Sequence, residues 1–250
     1  MGITFSSVPA MFGPVHIAIL AAAAVISVCL FGVFRKMTDE KLMKFLFAAG
    51  LAMILAEVWK QWFVSVYVYP DMRSAWYFPW QLCSMAMYCS VLVPFLRKKA
   101  QEAVLVFLAS FSLLAAVFAL AVPGDMMRPQ VLLFCHGFAY HILMVQECLA
   151  AIVLLSRREK ARFKPAAILY LGMAAVAEVI NVATYHWAGP DGLPSNMFNI
   201  TPYWPTTQPV FREIALAVGI IPEILLYTAL IAVGAFILYA AEYALMRRRA

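Results

Sequence analysis

Seven apolar stretches, each about 18–25 residues long, recur along this chain of 250 residues. They lie near Pro14–Phe34, Met43–Val68, Tyr77–Leu96, Ala103–Val122, Val131–Leu155, Pro165–Trp187 and Pro222–Leu245. A run of that length crosses hydrocarbon about 30 Å thick as a helix. In lipid a lone segment has no water to satisfy its backbone, so it must bond to itself, and only a helix does that. The expected fold is therefore all-α: a polytopic integral membrane protein with seven transmembrane helices in a single domain, residues 1–250. A composition 65% hydrophobic and 13% charged excludes an ordinary soluble domain.

The distribution of charge sets an orientation. Fifteen of the nineteen Lys and Arg residues fall between the first and second spans, between the third and fourth, between the fifth and sixth, or after the last. The alternate loops hold only Arg73, Arg128 and Arg212, and Lys60 lies inside a span. The positive-inside rule then predicts an outside N-terminus and a cytoplasmic C-terminus, as in a multi-pass plasma membrane protein, the inner membrane in a bacterium. It also turns the net charge of +6 away from nucleic acid as a partner and toward membrane topology. The first run lacks a basic segment before it and is long enough to span, so it reads as a helix rather than a signal peptide.

The longest loop, residues 188–208, is rich in Pro, Gly and Asn and reads as an ordered or semi-ordered outer loop. No internal repeat of the kind many transporters carry is visible. Five cysteines, all within spans, do not make a disulfide framework.

Polar residues inside these spans need a reason. Glu57, Lys60, Cys83, His136, His141, Glu147, Glu178, Asn181 and Glu223 all interrupt apolar runs. A charge at the bilayer centre costs roughly 2.5–3.5 kcal/mol on insertion scales, and such residues usually face a bundle interior or a water-filled cavity. At about 1.5 Å of rise per residue, Gln81 and Cys83 lie just below the outer surface, and His136 and His141 lie one and three turns down. Glu178, Asn181 and Tyr185 occupy the outer half of the sixth span. Structural polar residues would scatter in depth; most of these cluster in the outer half.

Cys83 follows Pro79-Trp80-Gln81-Leu82. A membrane cysteine is ordinarily a small apolar filler. Beside a base, however, its thiolate is a nucleophile that can hold an acyl group and divide one hard transfer into two easier steps. His136 and His141 are the candidate bases, and they point about 140° apart on one helix. His136 shares a stripe with Tyr140 and Glu147, which favours it for the polar interior. His141 shares one with Gly137 and Cys148, as a close helix contact would. Glu57 and Lys60 are spaced to pair as i and i+3, and Glu178 and Asn181 have the same spacing. Cys135, His136, His141 and Cys148 do not converge on one tetrahedral point, so no metal is expected. No phosphate-binding or dinucleotide motif calls for a cofactor.

The element Phe78-Pro79-Trp80-Gln81-Leu82-Cys83-Ser84 resembles the Leu-Pro-Leu-His-Leu-Cys motif of the YwaF-like integral membrane proteins, a group related to transmembrane protein 164. Glu57 with Trp59, Val122-Pro123, a histidine in the fifth span, Ile180-Asn181 and Pro202-Tyr203-Trp204-Pro205 extend the similarity along nearly the whole chain. The resemblance implies a cysteine-dependent acyltransferase or transacylase acting on membrane lipids, with a histidine partner whose spacing selects His141. Gln81 stands where the family motif has histidine, and Thr184-Tyr185-His186-Trp187 replaces the usual pair after the sixth-span asparagine.

The expected activity is thus transfer or hydrolysis of a lipid acyl chain near the outer leaflet, with Cys83 as nucleophile and His141, or His136, as base. Gln81 and Asn181 are the expected oxyanion donors, Glu57 or Glu178 orients the histidine, and Tyr185 supports the site. Two rivals use the same residues. One is a proton-coupled transporter with Glu57, Lys60, Glu147, Glu178 and Glu223 as a relay; the other is a non-catalytic lipid-binding protein.

Overall fold

A computed structural model describes residues 3–70, 72–158 and 161–247. Lys160, Arg248 and Arg249, three of the basic residues used above, lie outside the described residues. Six helices are long and apolar enough to cross a membrane: α1 (Pro14–Phe34), α2 (Asp39–Val68), α4 (Lys98–Ala121), α5 (Val131–Ser156), α6 (Phe163–Ala188) and α8 (Ile220–Leu245). A shorter apolar helix, α3 (Leu82–Phe95), lies between α2 and α4, and α7 (Phe211–Val218) precedes α8. Apart from two isolated bridges, the described residues form no strand. The protein is an all-helical, multi-pass membrane protein.

The third apolar stretch differs from the expected full span. Its helix begins at Leu82 because Gln81 is extended (φ −75°, ψ 160°), and it closes in a tight turn over Val93–Phe95 that contains Pro94. Fourteen residues rise about 21 Å, short of the hydrocarbon thickness. The residues before the helix, 72–81, are irregular chain of bends and turns.

Local signals explain the other boundaries. Pro14 opens α1 at a position where its missing N–H costs nothing. Thr38 caps α2, with Asp39 and Glu40 in the first turn complementing the helix dipole. Gly189, at φ 70°, ends α6, and Gly219, at φ 96°, separates α7 from α8, the left-handed backbone that glycine adopts without strain.

We call upper the end of the bundle at which α1, α3, α5 and α8 begin. α5 is the most buried long helix, whereas α1 and α8 keep most of their apolar surface on the outside. α5 packs against α1, α2 and α4, and α3 packs mainly against α2. That last contact needs Gly50: a Cβ there would meet the Met87 carbonyl oxygen at 2.8 Å and Ser90 Cβ at 2.9 Å. Small residues let membrane helices approach this closely, and the approach holds Cys83 against the middle of the bundle.

At the lower end Arg157 bonds Asp39 and the carbonyls of Arg35 and Met37, tying the α5 terminus to the α1–α2 turn. At the upper end His16, fully buried, accepts from Phe12 N–H at Nδ1 and bonds the Leu120 carbonyl through Nε2 at 2.8 Å. It links α1 to α4 rather than lying at an interface, as its position near the end of a span suggests.

Candidate functional site

The centre of the upper half is an ion pair. Lys60 Nζ lies 2.7 Å from Glu57 Oε1, with the two side chains only 19% and 4% exposed, the most buried pair among the described residues. Gln61, one residue on, donates to the same carboxylate oxygen at 2.7 Å and to the Tyr77 carbonyl. Lys60 also sits 5.8 Å from the centre of the Tyr77 ring, and Arg128 stands 5.3 Å from that ring centre. Burying a charge is tolerable only when it is paired and hydrogen-bonded, and Glu57 meets both conditions. The i, i+3 spacing read from sequence therefore forms, with Gln61 as a partner that the spacing rule left out.

The sulfur and both imidazoles gather around this pair. Cys83, on the first turn of α3, is within electrostatic reach of Lys60 and Glu57. So are His136 and His141. His141 is buried, and its Nδ1 lies 2.7 Å from the Gly137 carbonyl. A carbonyl only accepts, so Nδ1 carries the proton and Nε2 presents a lone pair. This is the tautomer a general base needs. His136 turns toward the backbone of Ala56, and its Nε2 is buried without a hydrogen-bond partner. Its ring lies 5.8 Å from Trp59 and 5.7 Å from Tyr140. Among the described residues no hydrogen bond joins Cys83 to either histidine; the Glu57–Lys60 pair is what the three groups share.

The two expected oxyanion donors are occupied elsewhere. Gln81 Nε2 donates to the Asn196 carbonyl at 2.8 Å, and its Oε1 accepts from Phe198 N–H at 2.9 Å. Asn181, fully buried, accepts from Met197 N–H at 2.6 Å and from Ser195 Oγ at 3.1 Å, and donates to the Met197 carbonyl at 3.1 Å. Thr184 adds bonds to the Ser195 hydroxyl and N–H. Together they draw the loop after α6 down into the bundle, where Ser195, Asn196, Met197, Phe198, Ile200 and Thr201 are buried. Phe198 and Asn199 take left-handed backbone there (φ 56° and 59°). Asparagine accepts that conformation readily; phenylalanine adopts it at a cost of about 1–2 kcal/mol, which the amide clamp opposes.

The remaining candidates divide by place. Glu178 lies near Asn181 on α6, and its Oε2 is buried without a hydrogen-bond partner. Tyr185 stacks on Tyr203 at 3.6 Å and lines a separate cleft of about 620 Å³ with Trp76, His186 and Trp204. Glu223, buried at the start of α8, is an electrostatic neighbour of Tyr227, which lies beside Asn199 and within reach of Cys83. Glu147 is deeper, fully buried beside Ser90, Cys89 and Cys148. Cys29 and Cys135 are exposed on the surface of the bundle. No group of three or more His, Cys, Asp or Glu among the described residues could hold a metal ion.

Tyr227 and the buried stretch 195–201 escaped the sequence reading. Tyr227 is one aromatic in an apolar span, and the loop has the composition of an exposed turn.

Long apolar helices closed around a buried ion pair, a thiol and two imidazoles define a multi-pass membrane protein with an intramembrane polar site. The chain belongs to the TMEM164 family, whose model matches residues 11–240. Nothing matches among curated proteins or among solved structures.

Proposed function

We propose that the protein is a membrane acyltransferase or lipid hydrolase that carries an acyl chain on Cys83. The observation that supports this best is the shared neighbourhood of Cys83 and His141 around the Glu57–Lys60 pair, with His141 held in the base-competent tautomer. The thiol proton passes to His141 Nε2, directly once substrate closes the gap or through one water. Sulfur attacks the acyl carbonyl, the ester C–O bond breaks, and the departing alkoxide takes the proton from His141. A second hydroxyl then gives its proton to His141 and attacks the thioester, returning the thiol. The acceptor is a lipid hydroxyl in a transferase and water in a hydrolase. Lys60 and Glu57 give the site a fixed field with no net charge, and no cofactor is called for.

Topologically, α3 with the irregular residues before it completes a seventh crossing, the N-terminus is outside, and the site opens toward the outer leaflet of the plasma membrane. A reporter active only in the cytoplasm, fused after Ala250, should give signal. A silent but well-expressed fusion overturns the orientation.

The test of the chemistry is a hydroxylamine-sensitive acyl group on the protein in lipid vesicles. Exposed Cys29 and Cys135 would blur it, so a Cys29→Ser/Cys135→Ser background is needed. Acyl label on that background that vanishes with Cys83→Ala supports the reading; label that persists removes Cys83 as the carrier. One observation favours a proton-coupled carrier instead: both Glu147 carboxyl oxygens are buried without a partner within hydrogen-bonding geometry. Proton-gradient-driven uptake into vesicles that is lost in Glu147→Gln would support that second reading.

A further inference from the structure

Acyl transfer develops negative charge on the carbonyl oxygen, and the site must offer it a donor not already committed. The backbone N–H groups of Cys83 and Ser84 at the start of α3 face the sulfur itself, and most side-chain donors around it are committed. Gln81 and Asn181 spend their N–H groups on the carbonyls of Asn196 and Met197. Gln61 gives its amide to Glu57 and Tyr77. Tyr88 donates to the Pro79 carbonyl at 3.0 Å, and Trp80 to the Met173 carbonyl at 3.2 Å. Lys60 is held on Glu57.

Tyr140 is different. It is 6% exposed, and its hydroxyl is buried with no hydrogen-bond partner. The ring is fixed on two sides, 5.7 Å from His136 and 5.5 Å from His141. Cys83 packs against the core cluster that contains Tyr140, and the Tyr140 hydroxyl is an electrostatic neighbour of both Cys83 and Glu57. A buried hydroxyl left unbonded is destabilising. That cost is recovered if a bond forms when substrate arrives.

We propose that Tyr140 is a catalytic residue of this site, its hydroxyl donating a hydrogen bond to the oxyanion formed when Cys83 attacks the acyl carbonyl. The assignment rests on the acyl-transfer reading above. In the free protein the hydroxyl waits without a partner. In the tetrahedral intermediate it meets the charged oxygen. When the intermediate collapses the bond weakens again, and the proton stays on Tyr140 throughout. His141, one residue along and edge-on to the same ring, handles the transferred proton, so donor and base are positioned by one turn of α5.

The experiment uses the full chain in lipid vesicles with the Cys29→Ser/Cys135→Ser background. Tyr140→Phe removes one unbonded oxygen, so the fold has no hydrogen bond to lose. Acyl transfer should fall about 10²–10³-fold in kcat, the usual loss of one oxyanion donor. Alkylation of Cys83 by a lipid-like iodoacetamide, which displaces iodide at saturated carbon and forms no carbonyl oxyanion, should stay near the parent rate. A substrate with sulfur in place of the carbonyl oxygen accepts hydrogen bonds weakly. The parent protein's preference for oxygen over sulfur should therefore collapse in Tyr140→Phe, a ratio read within each variant and independent of how much protein is folded. Full transfer activity in Tyr140→Phe, an unchanged oxygen-over-sulfur ratio, or alkylation falling as far as transfer would each overturn the assignment. Transfer that survives Cys83→Ala instead overturns the nucleophile reading, and Tyr140 with it.

Discussion

Two buried polar regions share this bundle and solve the same physical problem in opposite ways. In the upper half, Glu57 is paired with Lys60 and bonded by Gln61, and Cys83, His136 and His141 are gathered around the neutralised pair. Deeper along α5, Glu147 has no cation beside it among the described residues; its neighbours are Ser90, Cys89 and Cys148. A paired charge supplies a fixed field to whatever lies next to it, and it makes each partner dependent on the other. An unpaired acid in hydrocarbon-like surroundings does best by keeping its proton, since the charged form has nothing to balance it. The upper region thus holds a balanced charge beside a thiol and two imidazoles, and the lower an acid whose two oxygens have no hydrogen-bond partner.

This contrast can be broken by substitution, beginning where the effect should be largest. His141→Ala should reduce acyl transfer by about 10²–10⁴-fold, the usual contribution of a general base. Its combination with Cys83→Ala should be no worse than Cys83→Ala alone, because nucleophile and base act as a unit. Cys89→Ala and Cys148→Ala, in the lower region, should transfer at close to the parent rate, and so should His136→Ala. A dead His136→Ala beside an active His141→Ala would exchange the two imidazoles.

Next in size is the cost of orphaning a charge. Lys60→Met leaves Glu57 buried without its cation and should lower unfolding stability by about 3–5 kcal/mol, whereas a Glu57→Gln/Lys60→Met double variant should recover much of that loss. Thermal unfolding in detergent measures both. Equal stability of the single and double variants would mean that the pair is solvated.

A smaller effect is expected at the loop clamp. Asn181→Ala strands the Met197 N–H and carbonyl and leaves the Ser195 hydroxyl only its bond to Thr184, at about 1–3 kcal/mol for a buried group left unsatisfied. Cleavage between residues 189 and 210 by a protease added to the upper side should accelerate while the helices stay intact. Unchanged cleavage would show that Gln81 and Thr184 suffice.

The smallest effect tests the lower region itself. Glu147→Gln keeps size and shape and removes no ion pair, so the melting temperature should move little, by the equivalent of less than about 1 kcal/mol, well below the buried-pair penalty. A loss as large as that of Lys60→Met would mean that Glu147 carries a balanced charge, and the distinction between the two regions would disappear.

The sequence by itself determined the class of architecture and most of the cast. Helix length and apolar composition follow from the thickness of hydrocarbon, so the six long spans are legible with their ends displaced by only a few residues. The Glu57–Lys60 pair is legible because both partners lie on one helix, where spacing dictates contact. The family was legible in short motifs spread along the chain, and its model covers residues 11–240.

What the tertiary structure alone decided concerns groups on different elements. Gln81 and Asn181 are amides at the right depth, yet their donors go to a loop that dips into the bundle. No periodicity reveals a buried stretch of irregular chain, because its burial comes from the partners that satisfy its backbone. The start of α3 at Leu82 rather than Tyr77 was hidden because apolarity does not distinguish a helix from irregular chain. Tyr140 stood in the sequence only as a neighbour on the His136 stripe. That its hydroxyl is left without a partner follows from the packing of α2, α3 and α5 around it. Hydrogen-bond satisfaction is a property of the closed three-dimensional network, and a linear chain specifies the donors without specifying which of them will be left over.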